Sequence, residues 1–138
     1  MGQVINPDSA GKERPRLTKS IVLALRELMR QNQPDDHSRD LAAYMAIALQ
    51  KVYDGVESSV EAWEKKGYWV KADRFRMEWQ WAERTASQLR QAVLSEDWGS
   101  VAMVSAQVAQ KLMKVDVPLH NRIGEPWIGA YKILKDGK

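Results

Sequence analysis

The sequence predicts an all-α fold: an antiparallel four-helix bundle built on a long helical hairpin, with extended basic N- and C-terminal arms. Three observations predict it. Apolar residues recur at steps of three and four through the centre of the chain, and no alternating β-branched run between turn signals marks a strand. All five prolines (Pro7, Pro15, Pro34, Pro118, Pro126) fall outside the periodic segments, where proline is tolerated. Two of those segments are long and separated by only a few residues, which forces them back on each other.

The first helix is expected over 17–32, from the spacing of Leu17, Ile21, Leu25 and Leu28, with Pro34 as its stop. The second starts after a cap at Asp36 or Ser38 and ends at Lys65-Lys66-Gly67. There two lysines suit the negative helix end and Gly67 can take the left-handed conformation. Its inner stripe runs Leu41, Met45, Ala48, Val52, Val56, Val60 and Trp63, with Gly55 as a place for a kink. The third helix, about 70–95, carries Phe75, Trp79, Ala82, Ala86, Leu89 and Val93. The fourth opens at Asp97, a good N-cap, and repeats the pattern through Trp98, Val101, Val108 and Val115. Alternating threes and fours are the seam of near-parallel helices crossing at about 20°.

At 138 residues the chain is one domain, large enough to bury roughly 68% of its unfolded surface without staples. It divides into an N-terminal basic arm (1–16), a bundle (17–117) and a C-terminal arm (118–138) packing on its own or a neighbouring bundle. Cysteine is absent, which removes disulfides, thiolate nucleophiles and thiolate metal sites and fits a cytoplasmic setting. No window approaches the ~18 apolar residues of a membrane span. The start lacks an apolar signal region, and Asn6 stands where Gly2 lipidation wants Ser or Thr. Net charge is +3, unevenly laid out: residues 1–33 and 111–138 each hold six basic and three acidic residues, and the middle holds nine against twelve.

Residues 62–83 hold four of the six tryptophans, Trp63, Trp69, Trp79 and Trp81. Trp63 and Trp79 lie on the helical seams and are expected in the core. Trp69 and Tyr68 occupy the turn. Trp81 is about 200° around the helix from Trp79, so both cannot face one seam, and Trp81 must meet a second layer, meet a partner, or stand exposed. In the C-terminal arm, Ile123, Trp127, Ile128, Tyr131, Ile133 and Leu134 follow no sustained period, which reads as an apolar strap. Trp69, Trp81, Trp127 and Tyr131 are therefore the expected partner-binding residues.

Asp54, Glu57, Glu61 and Glu64 form one acidic stripe, and Glu57, Glu61 and Glu64 are the candidate ligands for a divalent cation. Glu-x-x-His pairs are missing, and neither Glu78 nor Glu83 completes a second carboxylate pair. Surface ion pairs of Glu61 and Glu64 with Lys71 and Arg74 explain the stripe more simply. His37 and His120 read as solvated loop histidines. Gly11-Lys12 is followed by Glu13 rather than Ser or Thr, so no phosphate loop and no nucleotide site is expected.

The leading expectation is a non-enzymatic interaction or scaffold subunit that self-associates, first as a dimer, or docks in a larger assembly, with no cofactor. A sequence-nonspecific nucleic-acid binder is the alternative, with Lys12, Arg14, Arg16, Lys19, Arg74, Arg76 and Arg84 on phosphates. A metal-dependent hydrolase is the third.

Overall fold

A computed structural model describes residues 7–137, with side chains from residue 11 onward. The described residues form five helices and no strand: α1 (Pro7–Met29), α2 (Asp36–Lys65), α3 (Trp69–Leu94), α4 (Trp98–Lys111) and α5 (Ala130–Lys135).

The first helix departs from expectation. It begins at Pro7 and passes through Pro15, so residues 7–16 are not an extended arm; the rest of that arm, 1–6, lies outside the described residues. Proline removes one backbone donor and crowds the preceding turn. Here two contacts hold the turn: Thr18 donates its hydroxyl to the Pro15 carbonyl at 3.0 Å, and Arg14 sits over the Phe75 ring at 4.8 Å. The helix ends at Met29, short of 32, where Arg30 and Gln31 close the last turn on Glu27 and Leu28.

The cap of α2 is Asp35, one residue before the first of the two expected caps, Asp36 and Ser38. Its carboxylate accepts from the Ser38 backbone at 2.9 Å and the Ser38 hydroxyl at 3.0 Å, and these bonds, the backbone one first, hold Asp35 below its usual carboxylate value. Asp97 caps α4 as expected, accepting from Ser100 N at 3.2 Å, and the Ser100 hydroxyl, then its backbone, draw its pKa down. Gly55 lies within α2 without ending it. Gly67 closes α2 at φ 82°, the left-handed conformation that a side chain would oppose. The turn between α3 and α4 places Glu96 at φ 54°, an uncommon conformation for a non-glycine residue. Its carboxylate accepts from Arg39 Nε at 3.0 Å.

The α2–α3 pair is antiparallel. Arg39 near the start of α2 reaches Glu96 beyond the end of α3, and Glu57 and Glu64 further along α2 meet Arg76 near the start of α3. The helix α2 is the central element: α1, α3 and α5 all pack on it, while α4 lies on α3 and touches α1 only lightly. That sharing explains why Leu41, Ala42, Ala43, Met45, Ala46, Ala48 and Leu49 are all buried. A helix covered on several sides loses the single apolar stripe of a surface helix.

The thin side between α1 and α4 is crossed by the C-terminal segment. Arg26 donates to the Val117 carbonyl at 3.2 Å, and Val117 and Trp127 are buried. The segment ends in α5 rather than remaining extended. Asp40 on α2 accepts from Gly129 N at 3.0 Å and Tyr131 N at 2.9 Å, the amides that open the short helix. No helix among the described residues is long and apolar enough to cross a membrane.

Candidate functional site

The hairpin end is built from the turn outward. Lys66 N and Tyr68 N donate to the Trp63 carbonyl, Gly67 N to the Glu64 carbonyl, and Ala72 N to the Tyr68 carbonyl. These bonds leave little backbone freedom between Trp63 and Ala72. Behind the turn Val56, Val60 and Ala72 form a small core of their own, covered by Trp63, Phe75 and Trp79. Trp63 meets Phe75 edge-on at 5.0 Å, a favourable aromatic geometry, and Lys71 lies 4.5 Å above the Trp63 ring.

Trp79 packs against both this small core and the main one. Its ring is stacked on Trp81, with centroids 5.9 Å apart and planes 27° from parallel. The separation expected from helical angle is overcome by the reach of two indoles, and Trp81 is half-buried against the main core. Arg14 of α1 covers Trp79 at 5.7 Å and Phe75 at 4.8 Å. Burial lowers its guanidinium pKa from the usual arginine value, with Glu78 opposing.

Trp69 stands apart. It is 61% exposed, and its neighbours Tyr68 and Val70 are 53% and 66% exposed. Three consecutive large side chains therefore project from a rigid turn. Met77 and Arg74, exposed on the same helix, continue that surface along α3. Of the other residues expected at a partner surface, Trp127 is buried in the chain's own core. Tyr131 is half-buried with Arg39 5.9 Å over its ring. The core takes up Trp127, and Asp40 and Arg39 of α2 hold Tyr131, so neither is presented.

The expected cations separate by what they touch. Arg76 donates to Glu57 at 3.0 Å and lies 3.8 Å from Glu64 and from Asp73. It takes the place expected of Lys71 and Arg74, because α3 turns Arg76 toward α2. The Glu57 bond, first, holds its pKa above the usual arginine value. Tyr53 also donates to Glu57 at 3.2 Å. Two of the three candidate metal ligands thus face an arginine, and no cluster of three or more metal-ligating side chains occurs among the described residues. Arg14 is committed to its aromatic pair. Arg74 and Arg84 are exposed on α3.

Lys12, Arg16 and Lys19 line a cleft of about 770 Å³ between α1 and the strap, opposite His120 and Arg122. Sequence reasoning set aside His120 and did not weigh Arg122, since no local pattern joins residues a hundred positions apart. The fold and site define an all-helical protein with an aromatic hairpin tip and a basic cleft. No family model, curated protein or solved structure matches the chain.

Proposed function

We propose that the chain is a non-enzymatic interaction subunit, an antiparallel helical bundle of the cytoplasm that pairs with a second copy through the tip of its α2–α3 hairpin. The observation that carries this is the exposure of Tyr68, Trp69 and Val70 on a turn held by backbone bonds from the Lys66, Gly67, Tyr68 and Ala72 amides. Trp and Tyr are the side chains that dominate association energy when a partner covers them. A preorganised tip also loses little conformational freedom on binding.

Self-pairing suits the charges. Lys65, Lys66 and Arg74 share the tip with Glu61 and Asp73, all exposed, so a two-fold related copy can set cations against carboxylates around the apolar centre. The nucleic-acid reading draws less support, because Arg14 and Arg76 are occupied within the chain. The hydrolase reading draws less still, because Arg76 neutralises Glu57 and Glu64.

Size-exclusion chromatography with light scattering tests the proposal. The intact chain is expected at twice its monomer mass at micromolar concentration, and Trp69→Asp at the monomer mass with an unchanged helical circular dichroism spectrum. A monomer for the intact chain, or a dimer unaffected by Trp69→Asp, contradicts it.

A further inference from the structure

The cleft between α1 and the strap has no role in the tip-mediated pairing. Lys12, Arg16 and Lys19 follow steps of four and three and so share one face of α1. The opposite wall is shaped by its own hydrogen bonds. Asn121 donates to the Pro118 carbonyl and accepts from Ile123 N, each at 3.1 Å, and Arg26 pins Val117 from α1. This wall presents His120 and Arg122. At the floor the hydroxyls of Ser20 and Tyr44 meet at 2.7 Å.

Four permanent cations line this cleft and no carboxylate does. Elsewhere Arg30, Arg39 and Arg76 each hold an acidic partner, but among the described residues no ion pair involves Lys12, Arg16, Lys19 or Arg122. Like charges facing one another across a cleft concentrate positive potential there, which an anion relieves. Two guanidinium forks on opposite walls, with two lysines flanking Arg16 on the α1 wall, match adjacent phosphoryl groups better than a single carboxylate. The volume is that of a small-molecule site.

A second groove of about 660 Å³ adjoins the first and shares Tyr44 and Pro126 with it. Its walls include Ile47, Ala86 and Leu134, with Gln50, Asp54 and Arg90 among its polar members. Apolar walls with a few polar groups suit a flat heterocycle with hydrogen-bonding edges.

We propose that the two grooves form one binding site for a nucleoside oligophosphate, with the phosphoryl groups between α1 and Arg122 and the base beyond Tyr44. Isothermal titration of the full chain at low salt tests this with inorganic triphosphate, adenosine triphosphate and a single-stranded oligothymidylate. Adenosine triphosphate is expected to bind one-to-one, at least ten-fold tighter than inorganic triphosphate. Arg16→Ala and Arg122→Ala each weaken both ligands at least ten-fold, whereas Lys111→Ala, an equal loss of charge outside the cleft, does not. All three positions are exposed, so unchanged thermal unfolding is expected in each variant. No saturable binding overturns the proposal, as does an equal loss in Lys111→Ala. Equal affinity for the two triphosphates overturns the nucleoside assignment. An oligonucleotide bound ten-fold tighter than adenosine triphosphate assigns the cleft to a nucleic-acid backbone instead and overturns the small-molecule reading.

Discussion

Trp79→Ala is expected to lower the free energy of unfolding by about 3 kcal/mol, toward the lower end of large-to-small aromatic substitutions because the ring is half-buried. Trp79 is the side chain shared by the main core and the small core behind the hairpin turn. Its removal takes away the stacked partner of Trp81 and one of the two rings under Arg14. A partly buried cation would then border a cavity, which adds a desolvation cost to the lost packing. Trp79→Phe should differ sharply. The indole Nε1 is buried without a hydrogen-bond partner, so phenylalanine removes an unsatisfied donor while keeping much of the apolar contact. A cost under about 1 kcal/mol is expected for it. Urea unfolding followed by circular dichroism measures both. Equal losses for the two variants would contradict the assigned bridging role.

The second large effect is local. Asp40→Ala is expected to release the C-terminal segment at a cost of about 2 kcal/mol, since one carboxylate receives both the Gly129 and Tyr131 amides. The core formed by α1 to α4 does not depend on those bonds in the same way, because α5 packs chiefly on α2. Hydrogen exchange should therefore show lost protection across 127–135 while α2 and α3 stay protected. Uniform loss of protection would mean that the strap is integral to the bundle rather than laid on it.

Much of the hairpin was legible in the sequence because its signals are local. The three-four alternation of Phe75, Trp79, Ala82, Ala86 and Leu89 gave α3 to within a residue at each end. Lys65-Lys66-Gly67 marked the turn, and Asp97 was identified as a cap from its position before an apolar run. Failures came where a distant contact decided the outcome. The beginning of α1 shows no apolar periodicity and contains proline, yet it is helical where Arg14 covers two rings sixty residues away. The Asp40 carboxylate orders a six-residue helix too short to show a period.

The candidate site divides in the same way. Trp69 was marked by its place in the turn, but its exposure was not, since a tryptophan there can equally cap the bundle end as a lid. Trp127 carried the same residue type but is the strap residue that turns into the core, which no periodicity in its segment could indicate. The pairing of Glu57 and Glu64 with Arg76 depends on the rotation of α3 about its axis. A shift of two or three residues there swaps the arginine that faces α2, and sequence spacing does not fix it. The basic cleft needs α1 and the strap in contact before its charges add.

Everything proposed for the tip requires α2 and α3 to fold back on each other at Gly67. The chain has no cysteine, so spin labels placed through Lys51→Cys and Ser87→Cys report one distance without background. Both positions border the same groove, and the folded hairpin predicts a separation near 20 Å from the spacing of packed helices and the label arms. Electron–electron double resonance, with labelled chains diluted in unlabelled protein to remove distances between copies, measures it directly. A distribution centred near 20 Å is the expected result. One centred near 54 Å, the length of a continuous helix between those residues at 1.5 Å per residue, would contradict the hairpin and the tip it presents.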